Sequence, residues 1–151
     1  MRLSTVEDTR AFGERLAAVL RPGDLVVLSG PLGAGKTALA QGIGAGLGVA
    51  EPVTSPTFVI ARVHHSGRVP LVHVDAYRLG AVADPRAEVD DLDLDASVDE
   101  SVTVVEWGEG MVEQLADAHL EVRLDRREDD SREVELRGSG GDWERRVAGL
   151  C

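Results

Sequence analysis

The sequence predicts a three-layer α/β fold, with helices around a mostly parallel central sheet that is extended by an antiparallel hairpin. Two short apolar runs, Leu25–Leu28 and Val102–Val105, are typical of strands that are buried on both faces. A glycine-rich turn at 30–35 joins the first run to a stretch with helical periodicity. A length of 151 residues suits one domain with a proper hydrophobic core, so we predict a single domain over 1–151.

The other elements are predicted from periodicity and from turn residues. Ser4 and Glu7 have the spacing of a capping box, and apolar residues recur behind them at helical intervals, which predicts a helix over about 5–20. A second helix is predicted over 37–47, where each glycine lowers the helix propensity by about 1 kcal/mol. Glycine at this density indicates close packing against a neighbour. The remaining predictions are paired strands at 57–64 and 69–75, paired strands at 120–126 and 132–137, and short helices from Arg86, at 111–116 and near 141–149.

The composition argues against several classes of function. The net charge is −11, with 27 acidic residues against 16 basic ones, which argues against direct binding to nucleic-acid phosphates. No stretch approaches the roughly 18 apolar residues of a membrane helix, and the charged N-terminus is unlike a signal peptide. The single cysteine, Cys151, excludes an intrachain disulfide. We therefore expect a cytoplasmic protein that has neither membrane nor DNA as a partner.

The most specific motif is Gly30–Thr37, which matches the phosphate-binding pattern G-x-x-x-x-G-K-[ST] between a predicted buried strand and a helix. In such a loop the backbone amides converge on phosphate oxygens, and the helix N-terminus adds partial positive charge. The pattern predicts a P-loop NTPase-like fold that binds ATP with Mg²⁺. The residues of the loop that are expected to contact the nucleotide are Gly33, Ala34, Gly35, Lys36 and Thr37.

Two residues of this motif carry its chemistry. Lys36 is expected to contact the β- and γ-phosphates, and the Thr37 hydroxyl is expected to ligate Mg²⁺. Lys36 is the only lysine in the chain, since every other one of the 16 basic residues is an arginine. A compact ammonium fits a phosphate cage where a planar guanidinium does not. This choice of residue supports nucleotide binding over a merely structural glycine-rich turn.

A P-loop also needs an acid at the end of a neighbouring strand, to hold Mg²⁺ or to orient water. Glu106 and Asp75 each follow an apolar strand and are candidates, although an acid there could instead cap the strand or pair with Arg78. The hydroxyls of 54–57 either sense the γ-phosphate or belong to a proline-containing turn. His73 is predicted to be a structural histidine, because the sequence offers no set of Cys and His partners for a metal.

Together these motifs resemble the TsaE (YjeE) family, the small P-loop ATPase of bacterial tRNA threonylcarbamoyladenosine biosynthesis. The matching segments, in family order, are STVEDTRAFGERLA at 4–17, GPLGAGKT at 30–37, SPTF at 55–58, HVDAYR at 73–78 and VTVVEW at 102–107. The resemblance implies a Mg²⁺-dependent ATPase, weak alone and stimulated by its partners. Those partners are a TsaD-type transferase subunit and its TsaB-type paralogue, which ATP hydrolysis resets between turnovers, and tRNA is contacted only indirectly.

The resemblance also implies roles for individual residues. The catalytic residues would be Asp75, Glu106 and Lys36, and the Mg²⁺ ligands would be Thr37 and Glu106. Three further residues would lie near the nucleotide, namely Thr9, Thr57 and Glu109.

Two other functions fit the same loop. The first is a small-molecule kinase, but its lid usually brings arginines over the transferred phosphate, whereas 84–100 carries eight acidic residues here. The second is a switch in which ATP binding alone controls a partner and hydrolysis has no function.

Overall fold

The fold is built around a seven-stranded sheet in the order β1-β7-β6-β2-β5-β4-β3. The computed structural model of the chain describes residues 2–30, 35–50, 53, 61–64, 66–75, 100–106, 118–129, 131–148 and 150. The strands are β1 (Arg2–Leu3), β2 (Leu25–Ser29), β3 (Ala61–His64), β4 (Leu71–Asp75), β5 (Val102–Glu106), β6 (His119–Arg126) and β7 (Arg132–Ser139). The four inner strands, β6, β2, β5 and β4, are parallel, and β1, β7 and β3 pair antiparallel to their neighbours. The predicted α/β class with a mostly parallel sheet and an added antiparallel hairpin is confirmed.

The inner strands end together at one edge of the sheet. In the parallel ladders Leu28 of β2 lies opposite Glu106 of β5, and Asp75 of β4 also lies opposite Glu106. All residues of β2 and β5 are buried, and seven of these ten residues are apolar. The chain leaves β2 at Gly30, so the glycine-rich loop begins beside the end of β5, and β4 ends one strand further along the same edge.

Two long helices pack together on one face of the sheet, α1 (Val6–Ala17) and α2 (Lys36–Leu47). The helix α1 starts at Thr5, whose Oγ1 accepts from the Asp8 backbone N–H at 3.1 Å while Asp8 Oδ2 accepts from the Thr5 N–H at 3.2 Å. The predicted capping box of Ser4 and Glu7 is therefore wrong by one residue. The sequence offers two overlapping boxes, and β1, which the sequence analysis did not predict, keeps the chain extended through Leu3.

The helices and the sheet enclose the main hydrophobic core. Its fully or almost fully buried members include Phe12, Leu16, Val26, Leu28, Leu39, Ile43, Val104, Leu120, Val122 and Leu124. Burying a side chain of this size stabilises the fold by about 1.5–3 kcal/mol relative to an exposed position. This packing fixes the carboxyl edge of the sheet against the start of α2.

The glycines of α2 allow α1 to approach it very closely. A Cβ atom built on Gly42 would lie 2.2 Å from the Arg10 carbonyl oxygen, and one on Gly13 of α1 would lie 2.7 Å from the Leu39 carbonyl oxygen. Both collisions are with the backbone of the facing helix, which no side-chain rearrangement can relieve. The close packing that the glycine content predicted is confirmed.

Near the C-terminus lies the third of the helices in the described ranges, the short α3 (Trp143–Val147). Trp143 is buried, and the Arg146 guanidinium stacks over its ring, 4.1 Å from the centroid, and forms an ion pair with Asp24. The helix predicted near 141–149 is thus confirmed, while the predictions for 57–60, for the helix from Arg86 and for 111–116 fall outside the described residues. In the described ranges, no helix has the length and apolar character that crossing a membrane requires.

Candidate functional site

Lys36, the first residue of α2, turns back toward the end of β2. Its ammonium Nζ donates to the Gly30 carbonyl oxygen at 2.7 Å, and the residue is only 5% exposed. Gly35, just before it, has φ = +105°, a left-handed conformation that residues with a Cβ rarely adopt. This backbone geometry places the single lysine of the chain at the carboxyl edge of the parallel strands, as the motif predicted.

The N-terminus of α2 differs from that of α1 in its capping. The first turn of α1 is capped by the Thr5 hydroxyl, whereas the N-cap of α2 is Gly35, which has no side chain to offer. The first amides of a helix need an acceptor and carry partial positive charge. The start of α2 is therefore suited to an anion, and the Lys36 ammonium adds a full positive charge beside it.

Thr37 and Glu106 bring two oxygen atoms together beside this helix start. The Thr37 hydroxyl donates to Glu106 Oε1 at 3.2 Å, across 69 residues of sequence. Two oxygens that ligate one Mg²⁺ in adjacent octahedral positions lie about 2.9 Å apart, given Mg–O distances of about 2.0–2.1 Å. A hydroxyl and a carboxylate are also hard oxygen donors of the kind that Mg²⁺ prefers. The pair thus fits a magnesium ion in both spacing and chemistry.

Glu106 has a second partner in the sheet. His73 Nε2 lies 2.6 Å from Glu106 Oε2, and the side chains of His73 and Glu106 are 0% and 5% exposed. The prediction that His73 is a structural histidine missed this contact, because the pairing of β4 with β5 brings the two residues together from 33 positions apart. The H-x-D pattern at 73–75 was the available signal, since residues two apart on a strand share a face.

Asp75 is the last residue of β4 and the ladder partner of Glu106. The predicted pair of acids therefore occupies adjacent positions at the carboxyl edge, the location where ligands bind to open α/β sheets. This position agrees with the expectation from strand order. The catalytic roles themselves remain predictions.

Thr9 and Arg132 lie close to Gly35, the N-cap of α2. A Cβ atom on Gly35 would lie 3.8 Å from Thr9 Cγ2 and 3.6 Å from Arg132 Nε. Thr9 is buried in α1, and its predicted role near the nucleotide stays a prediction. Arg132 stands in no recognised motif and was therefore not predicted from the sequence. It lies beside Gly35 because β6 pairs with β2 and the chain then turns back into β7.

The turn between β6 and β7 is held by its own polar contacts. Hydrogen bonds from the Ser131 hydroxyl and backbone N–H, at 2.6 Å and 3.1 Å, hold the pKa of Asp129 below its ordinary value, and the nearby charge of Arg2 acts in the same direction. Arg2 and Asp129 also form an ion pair. Both side chains are more than half exposed, so the pair adds little stability. The contacts define the turn that precedes Arg132.

Four predicted contact residues, Gly33, Ala34, Thr57 and Glu109, lie outside the described residues. The described part of the site therefore comprises the residues around Gly35 and the Thr37–Glu106–His73 group. These surround the edge where β2, β4 and β5 end.

The parallel sheet, the lysine at the start of α2 and the acid at the end of the neighbouring strand define the P-loop-like class of α/β folds. The family model described as threonylcarbamoyl adenosine biosynthesis protein TsaE matches residues 3–134 of this chain. The chain therefore belongs to the TsaE family, and the resemblance inferred from the motifs is confirmed.

Individual relatives and a solved structure agree with this membership. The chain is 57% identical over 140 residues to the tRNA threonylcarbamoyladenosine biosynthesis protein TsaE of Streptomyces coelicolor, a match that covers 89% of this chain and 93% of that protein. The protein of the same name from Bacillus subtilis is 38% identical over 139 residues, covering 91% and 84%. The crystal structure of Bacillus subtilis YdiB aligns with a TM-score of 0.80 at 32% identity, over 99% of this chain and 91% of that one.

Proposed function

We propose that this protein binds ATP with Mg²⁺ and hydrolyses it, as the nucleotide-dependent subunit of tRNA threonylcarbamoyladenosine biosynthesis. One observation carries the proposal: the buried Lys36 ammonium, the start of α2 with glycine as its N-cap and the Thr37–Glu106 oxygen pair meet at the edge where the parallel strands end. Each of these features is suited to a different part of a magnesium triphosphate. Together they favour a nucleotide over a smaller anion.

Each group has a distinct task in this proposal. The amides at the start of α2 and the Lys36 ammonium bind the phosphate oxygens, which requires Lys36 Nζ to exchange the Gly30 carbonyl for phosphate. Arg132 supplies a second cation next to Gly35. Thr37 and Glu106 would hold Mg²⁺, which when bound neutralises charge on the β- and γ-phosphates. Asp75, beside Glu106 in the ladder, orients the attacking water.

The biological context of the proposal comes from the relatives, which are named for tRNA threonylcarbamoyladenosine biosynthesis. We propose that ATP hydrolysis resets a complex of a TsaD-type transferase subunit and its TsaB-type paralogue between turnovers. The net charge of −11 supports a subunit that contacts tRNA only indirectly, because phosphate binding requires clustered basic residues.

Calorimetry and phosphate release test this proposal in sequence. The full chain is titrated with ATP and ADP in Mg²⁺ and in EDTA, and phosphate release is then measured with and without the two transferase subunits. Binding together with partner-stimulated release supports the proposal. Binding without release in either condition would favour a nucleotide switch, and transfer of phosphate to a metabolite would favour a kinase.

Replacing Glu106 by glutamine is expected to weaken nucleotide binding in Mg²⁺ at least about tenfold. The loss of affinity in EDTA is expected to be smaller. The variant keeps the size of the side chain and removes the charge that an ion requires. Titrations of both proteins with ADP, in Mg²⁺ and in EDTA, measure the difference. Glu135→Gln, at an exposed position of β7, is the matched control. An equal loss in both conditions would mean that Glu106 is only structural.

Replacing Asp75 by asparagine is expected to slow ATP hydrolysis at least about tenfold and to leave nucleotide affinity within about twofold. The amide retains the shape of the side chain but cannot accept a proton from water. Single-turnover hydrolysis in the presence of the transferase subunits measures the first effect, and calorimetry measures the second. Unchanged hydrolysis would remove Asp75 from the catalytic residues.

A further inference from the structure

The contact between His73 and Glu106 is buried and directional. His73 lies in the middle of β4, opposite Val104 of β5, and its side chain reaches toward Glu106 two residues further along β5. The distance of 2.6 Å between Nε2 and Oε2 is short for an N–H···O hydrogen bond, as expected when the acceptor is charged. His73 Nδ1 is buried and has no hydrogen-bond partner in the described structure.

These observations determine which ring nitrogen carries the proton. A carboxylate only accepts hydrogen bonds, so the hydrogen in this contact belongs to Nε2 of His73. If Nδ1 carried a hydrogen, it would be a buried donor without an acceptor, which is energetically costly. Without that hydrogen, Nδ1 is only a buried acceptor without a donor. The geometry therefore makes Nε2 the nitrogen that donates to Glu106 and disfavours a hydrogen on Nδ1.

The two oxygens of Glu106 consequently have different partners. Oε2 accepts from His73 and Oε1 accepts from Thr37, so the carboxylate is held from both sides and cannot rotate freely. The contact with His73 is buried, so water does not compete with it, whereas the contact with Thr37 is partly buried. Removing the imidazole would remove one of the hydrogen bonds that hold Oε2 and so weaken the fixed orientation of the carboxylate toward Thr37.

We propose that His73 is a positioning residue, which fixes the Glu106 carboxylate so that Oε1 is presented with the Thr37 hydroxyl to a divalent cation. The inference rests on the proposed function, since it assigns a role toward the magnesium of a bound nucleotide. Histidine and carboxylate partners behind a ligand commonly fix its orientation, and their loss typically costs tenfold to a hundredfold in metal affinity.

Two substitutions at His73 separate this role from simple packing. In His73→Gln the side-chain amide nitrogen lies as many bonds from Cα as Nε2 does and can still donate to Glu106. In His73→Leu the position stays filled but has no donor. The nucleotide dissociation constant is measured in Mg²⁺ and in EDTA for both variants and the wild type, and the ratio of the two constants gives the Mg²⁺-dependent gain.

His73→Leu is expected to lower the Mg²⁺-dependent gain by about tenfold to a hundredfold with little change in EDTA, and His73→Gln is expected to restore most of it. An unchanged gain in His73→Leu, or equal losses in both variants, would overturn the inference. If the wild type bound neither ATP nor ADP, the proposed function itself would fail. A wild type with normal Mg²⁺ dependence and an unaffected leucine variant would overturn only the role of His73.

A spectroscopic measurement on the wild type needs neither nucleotide nor a folded leucine variant. Long-range ¹H–¹⁵N spectra of the free protein are expected to show His73 protonated at Nε2, with a downfield, slowly exchanging proton that is assigned by its absence in His73→Gln. In Glu106→Gln this resonance is expected to shift upfield, because the acceptor loses its charge. Protonation of His73 at Nδ1, or no shift in Glu106→Gln, would overturn the inference.

Discussion

Replacing Lys36 by alanine is expected to weaken ATP binding by about 100-fold to 10,000-fold. Under the proposed function, the substitution removes two charge-assisted hydrogen bonds, one each to the β- and γ-phosphates, and each is worth about 1.5–3 kcal/mol. The chain has no other lysine to compensate, and the ammonium is almost completely buried at the start of α2. Calorimetric titration with ATP in Mg²⁺ measures the loss.

Two further variants serve as comparisons for Lys36→Ala. Lys36→Arg keeps the charge but replaces the compact ammonium by a planar guanidinium, and it is also expected to bind poorly because the enclosed position has little space. Arg137→Ala removes an exposed positive charge from β7 and is expected to bind normally. If Lys36→Ala bound ATP within about threefold of the wild type while remaining folded by circular dichroism, the phosphate role of Lys36 would be excluded.

Replacing Gly42 by alanine is expected to lower the free energy of unfolding by about 3 kcal/mol, near the upper end of the usual cost of overpacking. The new Cβ would meet the Arg10 carbonyl oxygen at 2.2 Å, so α1 and α2 must separate. For a chain of 151 residues this corresponds to a fall in melting temperature of about 6–12 °C. Thermal and urea denaturation of the nucleotide-free protein measure the effect.

The direction of the change in unfolding free energy distinguishes contact between the two helix backbones from the effect of helix propensity. In a helix position without neighbours, Gly→Ala stabilises by about 1 kcal/mol, so propensity alone predicts the opposite result. Ala45→Gly, at an exposed position of the same helix, is the matched control and is expected to cost about 1 kcal/mol. A Gly42→Ala protein that is as stable as the wild type would mean that the two helices are not in backbone contact.

The glycines of α2 show which features of the fold could be predicted from the sequence and which could not. Their density predicted close packing, but the facing element, α1, and the atoms in contact were known only from the structure. The strands at 25–28 and 102–105 and the β6–β7 hairpin followed from local apolar patterns, which a strand imposes directly on its sequence. The capping residue of α1 and the short strand β1 could not be predicted from local patterns. The strand β1 forms because it pairs with β7, and not because its own residues favour a strand.

The candidate site also combines features that the sequence predicted with contacts that only the structure shows. The sequence by itself determined the prediction of a phosphate-binding loop at Gly30–Thr37, because this motif is a local pattern in which the spacing of glycines, lysine and threonine carries the information. Only the tertiary structure decided that His73 contacts Glu106 and that Arg132 lies beside Gly35. These contacts join residues that are far apart in sequence, and they depend on strand order and register, which are set by the packing of the whole sheet and are not encoded in any local pattern.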